Sequence, residues 1–145
     1  MSLLAIDNLA LSIHGTPILA GVSLSIAPGE VCGVIGESGS GKSLTALAIL
    51  QLLPAGSMCS GGISLDKTDV LAAPESDLAK MRGNDVAVGF QEPTRELHPL
   101  QAIGAQVAEP IVNEEEVSRA QAVERAAETV GRHGLQNERF PLSRY

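Results

Sequence analysis

Val31-Cys32-Gly33-Val34-Ile35-Gly36-Glu37-Ser38-Gly39-Ser40-Gly41-Lys42-Ser43 is the stretch on which the reading of this chain turns. Its first five residues run apolar throughout, as a strand buried on both faces does. Gly36 to Ser43 then fits the phosphate-binding pattern G-x-x-x-x-G-K-S in every fixed position, between that expected strand and an expected helix beginning near Lys42. A triphosphate needs backbone N–H groups converging on it, and Gly36, Gly39 and Gly41 permit the chain to curl that way with no side chain in the path. Glu37, Ser38 and Ser40 supply the remaining backbone amides of the cradle. The helix start points its positive dipole end at the same anion. Lys42 is positioned by sequence to reach the β and γ phosphates, and the Ser43 hydroxyl to ligate Mg²⁺, a hard cation that takes oxygen. The expected ligands are therefore ATP and Mg²⁺.

Outward from the loop, Leu4, Ile6, Leu9, Leu11 and Ile13 alternate almost regularly. Val22, Leu24 and Ile26 repeat the pattern after the turn-prone Gly15-Thr16-Pro17, which predicts antiparallel strands with one face buried. Lys42 to Leu53 reads as a helix that is apolar nearly all round, ended by Pro54-Ala55-Gly56. Ile63 to Leu65 predicts a short strand, Glu75 to Arg82 a short helix stopped by Gly83, and Val86 to Phe90 a second buried strand. From Ser118, Ala120, Val123, Ala127 and Val130 recur at helical spacing with Ala122 and Ala126 beside them, and Gly134 supplies the stop. Glu114-Glu115-Glu116 is read as solvated charge near a helix N-terminus. The fold class is α/β.

At 145 residues, with 44% hydrophobic and 19% charged positions, the chain has the composition of one globular domain. A formal net charge of -7 without any Lys/Arg cluster argues against a nucleic-acid partner and against a polybasic membrane anchor. Leu44 to Leu53, the longest apolar run, is far short of the roughly 20 residues that span a bilayer. Any membrane association is expected through partners. Met1 to Asp7 has neither the basic start nor the apolar run of a secretory signal, which points to the cytoplasm. Cys32 and Cys59 are expected to be buried or idle thiols.

Val31 to Ser43 together with Met81-Arg82-Gly83-Asn84-Asp85-Val86-Ala87-Val88-Gly89-Phe90-Gln91-Glu92-Pro93 and Leu97-His98-Pro99-Leu100 resembles the ATPase subunit of ATP-binding cassette (ABC) transporters, in the wording of the dipeptide, oligopeptide and nickel importers. The resemblance runs from about Leu3 to Tyr145. It implies a P-loop NTPase of the cassette type: an antiparallel β-subdomain over about residues 1–30, a RecA-like core from the P-loop to the Q-loop over 31–93, and the start of the α-helical subdomain over 94–145. Gln91 would be the Q-loop glutamine, which senses Mg²⁺ and the γ-phosphate and couples the cassette to a transmembrane subunit. The implied partners are transmembrane permease subunits and a second cassette, at the inner face of the membrane. An aromatic ring that stacks on adenine is usual in the β-subdomain of the family. Here His14 stands nearest, and its two readings, surface turn and adenine platform, are both open.

Within the family, a segment like Phe140 to Tyr145 is followed by the signature, the Walker B aspartate, the catalytic glutamate and the switch histidine, and none of these strings occurs here. The sequence looks like the front half of a cassette. Glu92, a loop residue before proline, is a poor general base. The chain is therefore expected to bind ATP without efficient hydrolysis on its own, and to be marginal in stability or aggregation-prone. The reading is of a truncated energy-coupling subunit of an importer for peptides or similar small solutes. A non-catalytic nucleotide-binding module that regulates or assembles with a partner protein is the alternative, and a soluble cassette protein of DNA repair or translation fits less well.

Overall fold

The computed structural model describes residues 2–90, 97–115, 117–134 and 143. The chain divides into two compact units, the first ending at Arg82 and the second beginning at Gly83.

The first unit is built on a four-stranded antiparallel sheet of order β2-β1-β3-β4, formed by β1 (Leu4–Ile13), β2 (Thr16–Ile26), β3 (Ser57–Leu65) and β4 (Thr68–Asp69). The expected antiparallel strands are present, and the turn between them is tighter than expected. His14 and Gly15 alone make it, at φ of 49° and 80°, the positive pair that a two-residue hairpin turn demands. Thr16 and Pro17 already belong to β2.

Imperfect alternation in β1 has a structural cause. The β1–β3 register slips between Asp7 and Ala10, and Asn8 stands at φ 47°. This bulge shifts the side-chain phase by one, so that Leu4 and Ile6 before it and Leu9 and Leu11 after it are all buried. Ile63 and Leu65 of β3, Leu19 of β2 and Val70 beyond β4 are buried as well. At roughly 1.5–3 kcal/mol for each large aliphatic side chain taken out of water, these residues hold the unit together. β3 is three times the expected length, because pairing with β1 carries Ser57 to Gly62, which show no apolar alternation, into the ladder.

The helix after the phosphate loop, α1 (Lys42–Ile49), is shorter than expected. It stops where Gln51 turns to φ 52°, its amide side chain donating to the Ala48 carbonyl oxygen at 2.7 Å. The next helix, α2 (Glu75–Asn84), runs through Gly83 rather than stopping at it, and buries Leu78 and Met81.

Two expected strands are not formed. Val31 to Ile35 and Val86 to Phe90 enter no sheet, and Val31 and Ile35 are 95% and 99% exposed. A strand exists only through its ladder, and no described segment offers either run a partner. Their apolar composition was read as a demand for burial, and the described residues leave them largely exposed. Cys32, in the first of these runs, is therefore exposed rather than buried. Cys59 is half-buried on β3, with burial pushing its thiol pKa up, and both cysteines are free.

In the second unit, α3 (Ile103–Glu115) and α4 (Arg119–Arg132) pack on each other. The composition-based reading missed α3, whose interior holds Pro110, a residue that removes a helix N–H. Ser118 caps α4 in a full capping box with Gln121. The buried face of α4 is Ala122 and Ala126, joined by Ala108 of α3, whereas Ala120 and Val123 face out. Packing through small side chains holds as expected, one residue round from the expected stripe. Gly134, at φ 70°, follows the helix end.

Candidate functional site

The site is assembled at the N-terminus of α1. Gly41 is its N-cap residue, at φ 89° and ψ 2°, and no side chain caps the helix. The first-turn N–H groups of α1 thus have no side-chain acceptor at an end that carries partial positive charge. A Cβ on Gly41 would run into Leu19 of β2, so both the backbone angle and the space require glycine here. Leu19, buried beneath the loop, was not singled out by sequence, where it is one more apolar residue in an alternating strand.

Lys42 folds back into the loop. Its Nζ donates to the carbonyl oxygens of Gly36 at 2.7 Å and Glu37 at 2.6 Å, and to Ser40 Oγ at 3.2 Å. An ammonium group has three donors, and all three are met by the loop's own oxygens. The Ser40 amide closes the turn by donating to the Glu37 carbonyl at 3.2 Å. A Cβ on Gly36 would meet Ser40 Oγ at 2.8 Å, so the loop closes on itself at that glycine. Gly39, Ser40, Gly41, Lys42, Ser43 and Leu44 line a shallow hollow of about 160 Å³. Ser43, the expected metal ligand, is exposed at the helix start. Thr45 turns inward instead, its hydroxyl donating to the Gly41 carbonyl at 3.0 Å.

These features fit a bound phosphate chain with its cation: an uncapped helix start, glycine where a side chain would obstruct, an ammonium group inside the loop and a free hydroxyl beside it. Among the described residues no group of three His, Cys, Asp or Glu could hold a metal ion by itself. A cation here would need oxygens from its ligand. A larger hollow of about 460 Å³ lies in the second unit, between Leu100 and Arg119, and holds none of the residues expected to bind phosphate.

His14 lies in the hairpin turn. Its N–H donates to the Gly56 carbonyl at 2.9 Å and its ring rests against Gly56, which has no side chain to displace it. Gln91, Glu92 and Pro93 lie outside the described residues. No helix among the described residues is long and apolar enough to cross a membrane.

Comparison with known proteins identifies the family. A family model described as ABC transporter matches residues 19–144. The chain is 42% identical to the probable D,D-dipeptide transport ATP-binding protein DdpD of Escherichia coli K12, over 98% of this chain and 45% of that protein. It is 40% identical to the peptidoglycan transport ATP-binding protein YejF of Agrobacterium fabrum, over 99% of this chain and 27% of that protein. To the oligopeptide transport ATP-binding protein AppD of Bacillus subtilis it is 35% identical, over 89% of this chain and 40% of that protein. The chain spans less than half the length of these curated relatives. With most of its length matched by the family model, the chain belongs to the ABC transporter family.

Proposed function

We propose that this chain is the nucleotide-gripping part of the energy-coupling subunit of a peptide importer, binding Mg-ATP through Gly36 to Ser43. The observation that carries the reading is the position of Lys42 inside a loop whose helix end is left uncapped. The backbone amides of Glu37, Ser38, Gly39, Ser40 and Gly41, with those opening α1, surround the phosphates. Lys42 exchanges some of its bonds to loop oxygens for phosphate oxygens, so the charge is already in place and only its partners change. Ser43 Oγ would be one protein ligand of Mg²⁺, and Gln91 a second. When bound, the nucleotide supplies the phosphoryl group whose transfer drives transport.

Hydrolysis needs an oriented water and a group to activate it, and the family elements that supply them are not among these residues. These residues are therefore assigned the binding of the nucleotide. His14 is assigned to the hairpin turn in the first place, with its exposed ring available to adenine. Residues 1–30 are assigned to the β-subdomain, whose sheet β3 and β4 complete, the rest of 31–93 to the core that runs from the P-loop to the Q-loop, and 94–145 to the start of the helical subdomain. Permease subunits and a second cassette are the proposed partners, at the cytoplasmic face of the membrane. The names of the relatives support a peptide or similar small solute as cargo.

Titration calorimetry with Mg-ATP tests the reading. Hydrogen bonds from a charged donor contribute about 1.5–3 kcal/mol, so Lys42→Ala is expected to weaken binding by about ten- to a hundredfold. No heat from the unmodified chain, or an unchanged affinity in the variant, would refute it.

A further inference from the structure

We propose that Arg82 is a positioning residue for the phosphate loop, fastening the far end of α1 and thereby fixing where the amides and Lys42 at its near end stand. The inference rests on the reading of Gly36 to Ser43 as the triphosphate site. Arg82 Nε donates to the carbonyl oxygen of Leu50, the C-cap residue of α1, at 2.7 Å. The remaining nitrogens of the same guanidinium reach back along α2 to Glu75, Nη1 to Oε1 at 2.6 Å and Nη2 to Oε2 at 3.4 Å. One planar group thus grips a helix end with one edge and is held by a carboxylate at the other, a division of labour that the point charge of a lysine cannot reproduce. The Arg82 side chain is only 21% exposed and Leu50 is buried. A cation at this position also meets the negative end of the helix dipole and a carbonyl that has no partner within the helix.

The grip matters because little else fixes α1. Of its eight residues only Ala48 is buried. At its near end the helix rests on Leu19 through Gly41. Eight residues rise about 12 Å, so the two mounts stand at opposite ends of a short lever that carries the phosphate loop. With the far mount gone, α1 pivots on Leu19, and the amides and ammonium that must converge on a phosphate lose their common aim. Nothing in the sequence pattern marks Arg82 for this role; it stands seven residues after Glu75 on the same helix, which two turns bring onto one face.

The test uses the 145-residue chain with Arg82→Met, Glu75→Ala and Lys42→Ala. Calorimetry with Mg-ATP at 10 °C is paired with circular dichroism, which reports whether each variant is folded at that temperature, and with amide hydrogen exchange. Arg82→Met is expected to raise Kd about tenfold, equivalent to about 1.4 kcal/mol, while as folded as the parent. It should also speed exchange at Thr45 to Ile49, the amides bonded within α1, without speeding it at Ile6 and Leu11 of β1. An unchanged Kd in a folded variant, or exchange accelerated equally in helix and sheet, would show that Arg82 serves general stability alone. Should Arg82→Met fail to fold, Glu75→Ala decides: it frees the guanidinium from its exposed partner, a two- to threefold rise in Kd is expected, and no rise overturns the proposal. If the parent binds no Mg-ATP, or Lys42→Ala binds as the parent does, the fault lies with the site reading. The exchange pattern of α1 then still decides whether Arg82 is its mount.

Discussion

Replacing Gly41 by alanine tests how the loop is seated on the sheet. Two costs are separable. Gly41 holds φ 89°, and forcing an L-residue into left-handed backbone costs about 1–2 kcal/mol. The added methyl would also overlap the end of Leu19, which is only 6% exposed and cannot swing into solvent. Overpacking of that kind costs about 1–3 kcal/mol, for a total of about 2–5 kcal/mol against the roughly 5–15 kcal/mol that holds a typical domain folded. Gly39→Ala is the control, because it meets the same backbone cost at φ 81° with nothing within 4 Å of its Cβ. Urea unfolding followed by circular dichroism should place Gly39→Ala about 1–2 kcal/mol below the parent and Gly41→Ala lower still. Leu19→Ala should remove most of the difference between the two, since neighbouring substitutions couple when they share a contact. Equal losses for the two glycine variants would refute the seating of the loop on Leu19.

Two further outcomes are expected. Ser118→Ala removes the capping box that opens α4 and should cost about 1 kcal/mol, whereas Ser118→Gly should cost a few tenths; identical melting of the alanine variant and the parent would exclude the cap. The Glu75 carboxyl is held below the ordinary glutamate range, chiefly by its hydrogen bond from Arg82 and secondarily by that residue's charge. A depressed folded-state pKa means a stability contribution that is complete above the unfolded-state pKa and is lost as pH falls through the folded-state value. Melting temperature should accordingly drop on acidification below the ordinary glutamate range, and Glu75→Gln should remove part of that drop while lowering stability at neutral pH.

How much was legible in the sequence followed from how local each feature is. The β1–β2 hairpin carries both its strands and its turn within Leu4 to Ile26, so alternation alone placed it. The turn of Gly36 to Ser43 into α1 was legible because its glycines and the helix start lie in consecutive residues. The Asn8 bulge was visible only as a lapse in alternation, and the lapse acquires meaning once Gly61 of β3 is seen opposite it, where a Cβ would strike the Asp7 and Asn8 carbonyl oxygens. Leu19 beneath Gly41 and Arg82 at Leu50 join residues 22 and 32 positions apart. No pattern in a single sequence encodes such contacts, because each partner looks ordinary in its own segment. Helix α3 escaped notice because Pro110 and the weak apolar spacing of Ile103 to Glu115 compete with the helical reading.

The deeper miss, Val31 to Ile35, turns on what an apolar run specifies. Such a run states that its side chains are costly to expose, by roughly 1.5–3 kcal/mol each for valine and isoleucine, and says nothing about which segment will cover them. An antiparallel strand can find its partner across a two-residue turn, as β1 finds β2; a parallel strand must wait for chain a dozen or more residues away. Exposure of 95% at Val31 and 99% at Ile35 shows that no described residue covers the run. Its backbone amides, lacking a ladder, should therefore exchange with solvent at close to unprotected rates. Leu9 and Leu11, buried in the central strand, should open only with the whole unit and be slowed by about a thousandfold or more. Protection at Val31 to Ile35 matching that of Leu11 in dilute solution would mean that the segment is paired after all. Protection that grows with protein concentration would identify another copy of the chain as the partner, the route by which an uncovered apolar strand leads to aggregation.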